Sequence, residues 1–282
     1  MDSQPGVAGL SKGITSIAGA SAGQTVTART ASAEYYGPLA ARYHGTVTAN
    51  LRVRIFADGA DKRGILDLYK NPLIQGFTTN PTLMRQVGIG DYEAFAREIL
   101  AEIPDRPFSL EVFSDEFDEM GRQARKLARL GPNVYVKIPI TNTRGESSDH
   151  LVRALTHENI KLNVTALMTV DQVRTTTAAL AGSPSAYISV FAGRVADAGV
   201  DPLPIMRESL AIMRSQPQLE LIWASPREIF NLVQADQIGC HIITITHDLL
   251  KKLPSLGKDL TEFSLDTVKM FHRDAQAAGY KL

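Results

Sequence analysis

The chain cannot form an internal disulfide, because Cys240 is its only cysteine. One thiol in 282 residues suits a reducing compartment. Cys240 follows Gly239 between two apolar segments and reads as a small buried hydrophobe. Net charge is missing as well, with 30 basic against 30 acidic residues. A neutral chain offers no electrostatic footprint for nucleic acid or an anionic membrane. No apolar run approaches the roughly 20 residues that span a bilayer, and no apolar core follows a basic start as in a secretory signal. The six histidines include no H-E-x-x-H pair. His241 and His247 flank an apolar segment without cysteine or carboxylate ligands at metal spacing, so neither a metal nor a cofactor is expected. Asn163-Val164-Thr165 matches a glycosylation acceptor, but a buried segment in a chain without a signal makes that match accidental. These absences point to a cytoplasmic protein that handles small molecules, with neither nucleic acid nor membrane as partner.

Acidic residues are also scarce at the start. Asp2 and Glu34 are the only two in residues 1–50, a stretch rich in Ala, Gly, Ser and Thr without sustained periodicity. It reads as a disordered or loosely attached leader, because it lacks the apolar mass to form a core. Low acid with Arg29 and Arg42 resembles a transit peptide in composition only, since no amphipathic helix accompanies it. Residues 51–282 form the expected catalytic domain.

From Leu51 the pattern becomes regular. Short apolar runs begin near Val53, Ile74, Phe108, Val134, Ile160, Ala186, Leu219 and His241, at intervals of roughly 20–35 residues. Amphipathic segments with helix start signals lie between them. Asp91 precedes one, and Ser114 precedes an acidic turn followed by a basic end. Thr169-Val170-Asp171-Gln172 reads as a capping box, and so does Ser225-Pro226-Arg227-Glu228, with proline at the first helical position. Strand and helix alternating eight times point to an α/β fold, a parallel (β/α)8 TIM barrel. An open doubly wound sheet is the alternative, but it would carry a glycine-rich phosphate loop, and Asp58-Gly59-Ala60-Asp61 is not G-x-G-x-x-G.

In such a barrel, chemistry gathers where the strands end. Lys137 interrupts the apolar run Asn133–Ile140, where an unpaired ammonium is costly. A buried amine that gives up its proton is a nucleophile for carbonyls; the plainer alternative is a strand-end lysine whose tip reaches water. Polar groups end the other strands: Asp58, Thr78-Thr79-Asn80, Glu111, Asn163 and Thr165, Ser189 with Arg194, Ser225 with Arg227, and Thr244 with Thr246. One lysine, two carboxylates, amides and hydroxyls at one mouth suit proton shuttling around a Schiff base. Ser225 opening a helix after the seventh strand would favour an anion at the helix N-terminus. Trp223 is expected to pack in the barrel.

These stretches carry a resemblance. Ala57-Asp58-Gly59-Ala60-Asp61, Thr78-Thr79-Asn80-Pro81-Thr82-Leu83, Glu111-Val112, Val136-Lys137-Ile138-Pro139, Asn163-Val164-Thr165, Ser189 to Arg194 and Ala224-Ser225-Pro226-Arg227 occur in the order found in the transaldolase family. The chain from about Leu51 resembles its short members, related to fructose-6-phosphate aldolase, and the resemblance implies a barrel of the class I aldolase type. Lys137 would form the Schiff base, and Asp58 would take the C4 hydroxyl proton of a ketose phosphate. Glu111 and Thr165 would hold a proton-shuttling water. Asn80 with Thr79, Asn163, Ser189 and Phe191 would line the dihydroxyacetone unit, and Arg194, Ser225 and Arg227 would grip the phosphate.

Glu111 and Phe191 resemble the transaldolase side, where the aldolase branch tends to carry glutamine and tyrosine. The implied reaction is transfer of dihydroxyacetone from sedoheptulose 7-phosphate or fructose 6-phosphate to an aldose phosphate, as in the pentose phosphate pathway. An aldolase releasing free dihydroxyacetone, or acting on a pathway-specific sugar, is the alternative within the family. A barrel that has lost catalysis and serves as a scaffold is the alternative outside it. Subunit number is left open, a homo-oligomer included. The leader's composition generates a first expectation: deleting residues 1–48 leaves turnover within about twofold and melting temperature unchanged. Calorimetry and steady-state rates on the truncated chain check this, and a clear fall in either assigns the segment a docked role.

Overall fold

The structure, a computed structural model, describes residues 51–282. The leader expected over residues 1–50 lies outside the described residues. Eight strands, β1 (Arg54–Asp58), β2 (Ile74–Thr78), β3 (Phe108–Glu111), β4 (Val134–Pro139), β5 (Leu162–Leu167), β6 (Ala186–Val190), β7 (Leu219–Trp223) and β8 (Ile242–Thr246), close into a barrel in sequence order. Every neighbouring pair is parallel, β8 with β1 included. The expected (β/α)8 barrel is therefore the fold. The described helices are α1 (Lys62–Tyr69), α2 (Pro81–Gln86), α3 (Tyr92–Glu102), α4 (Phe117–Ala128), α5 (Asp149–His157), α6 (Val170–Ala179), α7 (Ala192–Asp197), α8 (Pro202–Met213), α9 (Phe230–Ile238), α10 (His247–Leu250) and α11 (Leu260–Ala278).

Local signals set most helix starts. Asp91 caps α3 by accepting from the Ala94 amide at 2.9 Å. Thr169 and Gln172 form the reciprocal capping box at α6, as the sequence predicts. Two expected starts are corrected. Ser114 does not cap α4; Glu116 stands at that position without a side-chain bond, and the Ser114 hydroxyl accepts from the Glu116 amide in a short turn. The box read at Ser225–Glu228 is not a helix start either. Ser225 has a φ of 59°, left-handed rather than the extended cap conformation, and α9 begins only at Phe230. The Asn231 side chain instead accepts from the Arg227 and Glu228 amides.

Strand side chains alternate between two faces, and the barrel sorts them accordingly. Ala57, Leu110, Val136, Ile138, Val164, Ile188, Leu221 and Ile243 face outward and join the helices in one continuous apolar layer. Trp223 belongs to this layer, buried between sheet and helices rather than inside the barrel. Cys240 is buried there too, its thiol pushed up to about 12 by desolvation. The inward positions carry a separate small cluster of Phe56, Tyr135, Tyr187, Ile222, Ala224 and Ile242. Tyr135 and Tyr187 stack with centroids 4.0 Å apart, and Phe56 meets Tyr187 edge-on at 5.8 Å. This aromatic plug floors the barrel, and two residues further along every strand but β7, which has Ala224 there, a polar residue follows.

The C-terminal helix α11 differs from the others. None of its residues is buried, and Leu260, Phe263, Leu265, Val268, Met270 and Phe271 are exposed.

Gly76 of β2 keeps the plug closed. A Cβ at this position would lie 2.6 Å from the Phe56 ring. Gly76→Ala is therefore expected to lower stability by about 1–3 kcal/mol, the usual cost of overpacking. Phe56→Leu in the same chain should restore part of it. Urea unfolding of the single and double variants measures both, and additive losses would show that the two residues do not share this contact.

Candidate active site

Period two carries each inward column from plug to mouth: Phe56 to Asp58, Gly76 to Thr78, Ser109 to Glu111, Tyr135 to Lys137, Asn163 to Thr165, Tyr187 to Ser189, Ile222 to Ala224, Ile242 to Thr244. A cavity of about 160 Å³ opens above the plug, lined by Asp58, Lys137, Asn163, Thr165, Ser189 and Arg227 among others. Lys137 is buried, yet its ammonium is not alone. Glu111, its register partner on β3, stands 3.0 Å from Nζ, and Nζ donates to the Thr79 carbonyl at 3.1 Å. The lysine tip therefore reaches a carboxylate rather than water.

Asp58 lies at the end of β1. Burial raises its carboxyl above the ordinary carboxylate range and outweighs the opposing pull of Lys137. The Thr78 hydroxyl, which donates to Asp58 Oδ1 at 2.7 Å, also pulls down, Glu111 adds to the rise, and His247 opposes it weakly. A carboxylate poised this way, within electrostatic reach of an amine, can accept and return a proton.

The amide of Asn163 is fixed from both sides. Ser189 donates to its Oδ1 at 2.7 Å, and its Nδ2 donates to the Ser109 hydroxyl at 3.0 Å. Thr165 presents a buried hydroxyl with no protein partner into the cavity wall, a group suited to a substrate oxygen or a water. Just beyond it Ala166 sits at φ 66°, where regular pairing with β6 breaks. Asn80 caps α2 through its Oδ1, bonded to the Leu83 amide, and its side chain also lines the cavity. Thr79 does not line it; its carbonyl holds Lys137, and its hydroxyl is buried behind.

Opposite the acids, two loops approach closely. Gly193, at the start of α7, lies so near the β7–α9 loop that a Cβ there would overlap the Ser225 carbonyl oxygen. Only glycine permits that approach. Phe191, Arg194, Ser225 and Arg227 line this side. Arg194 lies over the Phe191 ring at 5.7 Å. Arg227 forms a two-pronged pair with Asp197 of α7, with Nε 3.1 Å from Oδ1.

Thus ten of the twelve residues expected at the site line the cavity, and the other two touch Lys137, Glu111 by its carboxylate and Thr79 only by its backbone carbonyl. Ser109, Asp197 and His247 are not marked as site residues by the sequence, and Thr78, one of the strand-end polar groups, is given no role there. Thr78 carried a usable signal, since period two places it with Gly76 and Asn80 on the inner face. The other three act through partners distant in sequence. Among the described residues no group of three or more His, Cys, Asp or Glu side chains is arranged to hold a metal ion, and no helix is long and apolar enough to cross a membrane.

Residues 55–282 match the family model described as Transaldolase/Fructose-6-phosphate aldolase. A protein named "Probable transaldolase" from Dehalococcoides mccartyi is 34% identical over 218 residues, 76% of this chain and 97% of the relative. "Probable transaldolase 2" from Listeria monocytogenes is 39% identical over 218 residues, 76% of this chain and 95% of the relative. A "Probable transaldolase" from Thermoanaerobacter sp. is 34% identical over 231 residues, 82% of this chain and all of the relative.

The Thr78 contact has a measurable consequence. A hydroxyl that donates to a carboxylate favours the charged form. Thr78→Val removes that donor, so the Asp58 carboxyl is expected to titrate at still higher pH than in the parent chain. Carboxyl ¹³C NMR against pH follows this directly. An unchanged or downward shift would show that Thr78 does not support the carboxylate.

Proposed function

The chain belongs to the transaldolase/fructose-6-phosphate aldolase family, and from that premise and the site geometry we propose that it transfers a dihydroxyacetone unit between sugar phosphates through a Schiff base on Lys137. The observation that carries this reading is the buried Lys137 with Glu111 at 3.0 Å, facing Asp58 across the cavity. Glu111 takes the ammonium proton, and the freed amine adds to the ketose C2 carbonyl. One N–H proton of the adduct passes to the new alkoxide to give the carbinolamine, and the proton held by Glu111 then returns to its hydroxyl, so that water leaves and the iminium forms, with Thr165 positioned to hold that water. Asp58 then removes the C4 hydroxyl proton. The C3–C4 bond breaks, its electron pair moves into the iminium to give an enamine, and the shortened aldehyde departs. Attack of the enamine on an acceptor aldehyde, return of the Asp58 proton and hydrolysis complete the cycle. No external oxidant or cofactor enters this balance.

Arg194 and Arg227 would hold the phosphate, each by charge-assisted hydrogen bonds worth about 1.5–3 kcal/mol. Glu111 and Phe191 support transfer over release, because they match the transaldolase side of the resemblance. Free dihydroxyacetone release is the second reading within the same family. The pentose phosphate pathway and the cytoplasm follow from the same proposal.

One experiment tests the proposal and separates the two readings. The full chain is incubated with fructose 6-phosphate, with and without erythrose 4-phosphate, then treated with borohydride and mapped by peptide mass. The expected adduct lies on Lys137, and the expected product with acceptor is sedoheptulose 7-phosphate. Lys137→Met should lose activity by several orders of magnitude, since the covalent route disappears. An adduct elsewhere, or none during turnover, ends the Schiff-base assignment. Free dihydroxyacetone as the main product moves the enzyme to the aldolase side.

A further inference from the structure

His247, the first residue of α10 after β8, is a half-buried titratable group beside the site with no role in the scheme above. Its ring occupies a slot made by two missing side chains. A Cβ on Gly59 would lie 2.7 Å from His247 Nε2, and a Cβ on Gly64 would lie 2.7 Å from both Nδ1 and Cε1. Gly59 directly follows Asp58, and Gly64 belongs to the first turn of α1, whose amide is capped by Asp61 at 2.7 Å. The imidazole is thus wedged under the turn that carries Asp58. Its Nε2 is buried and has no hydrogen-bond partner.

That lone nitrogen restricts which form of the ring fits. A neutral imidazole with its proton on Nδ1 leaves Nε2 bare and needs no acceptor in the slot. The imidazolium carries N–H on both nitrogens, and the second would be a buried donor with nothing to bond, a costly arrangement. We infer that His247 is a positioning residue for Asp58: its neutral ring props the β1–α1 turn through Gly59 and Gly64, and uptake of a proton expels the ring and releases that turn. This rests on the reading of Asp58 as the C4 base.

The charged groups around the ring are Asp58 and Asp61 from the β1–α1 turn and Asp248 and Lys251 from its own helix, with Lys137 and Glu111 behind Asp58. The three aspartates favour the imidazolium, but burial is the larger effect and sets the imidazole below its ordinary value. The folded state then binds a proton less readily than the unfolded chain. The packed ring is fully compatible with folding above the unfolded value near 6.5, and stability falls as pH drops through that value toward the lower folded one.

The test uses the full chain and two kinds of readout. For turnover, kcat/KM for fructose 6-phosphate cleavage is followed from about pH 5 to 8, each enzyme scaled to its own plateau. The parent chain should lose activity on acidification with one proton more than His247→Phe, which keeps a ring but no titration, or than the smaller His247→Gln, because the groups of the catalytic scheme titrate in all three. For structure, melting temperature against pH should fall more steeply on acidification in the parent than in either variant. A Cβ on Gly64 would also meet Asp61 Oδ2 at 2.9 Å, so Gly64→Ala is made in the parent and in His247→Gln: displacing the ring lowers the melting temperature in the parent only, alanine by itself raises stability in a helix, and an equal fall in both backgrounds assigns the loss to the Asp61 cap and overturns the inference. Equal proton dependence in parent and variants overturns the inference, and so does a stabilised Gly64→Ala. Failure of every form to cleave ketose phosphates would instead overturn the reading of Asp58, while the melting curves would still decide whether the ring occupies the slot as described.

Discussion

A lysine ammonium buried in a barrel strand must find a counter-charge, and most of this site follows from how Lys137 finds one. Removing an ammonium from water costs several kcal/mol, and a nearby carboxylate offsets that cost only with good geometry. Parallel pairing supplies the geometry, since Glu111 is the register partner of Lys137 on the adjacent strand. The Thr79 carbonyl, turned inward where β2 ends, accepts a second ammonium proton. A well-packed apolar pair would serve stability at least as well. The polar arrangement fits the proposed chemistry instead: a carboxylate within hydrogen-bond distance would let a lysine lose and regain a proton during carbonyl addition.

The second constraint is the two-residue alternation of the strands. It separates the outward apolar layer, which binds the helices, from an inward column that changes character along its length. Tyr135 and Lys137 differ by one step of that column, as do Phe56 and Asp58. The plug below excludes water and closes the barrel's interior. The layer above inherits a low-dielectric floor that raises the Asp58 carboxyl. One stacking geometry thus supports both stability and the proposed proton chemistry.

Much of this was legible in the sequence because it depends on short-range pattern. Lys137 was visible as a charge within an apolar run, and the eight strands as runs bounded by turn residues. Asp91 and Thr169 were legible as caps, since capping is decided within four residues. The pattern failed at Ser225, where S-x-x-E with proline imitates a capping box. There the close approach of Gly193 and the left-handed backbone of Ser225 decide the loop, and helix formation waits until Phe230. Ser109 supports Asn163 from 54 positions away, and Asp197 holds Arg227 from 30. No local rule reports such pairings. His247 has no ligand spacing in the sequence, and its neighbours, two glycines, have no side chains to signal the contact.

The pairing of Arg227 with Asp197 bears on the proposed phosphate grip, because an arginine already engaged could seem unavailable. Both side chains are about half exposed, and pairs in that setting contribute roughly 0–1 kcal/mol. A phosphate gripped by charge-assisted bonds gains about 1.5–3 kcal/mol for each, so the substrate does not need to displace a strong competitor. Nor must Asp197 let go. It engages the Nε and one terminal nitrogen of the guanidinium, which leaves the other terminal nitrogen able to donate to an anion. A guanidinium held along one edge has fewer rotamers to lose when an anion binds the other. In that arrangement the aspartate lowers the local positive potential but reduces the entropy lost when an anion binds.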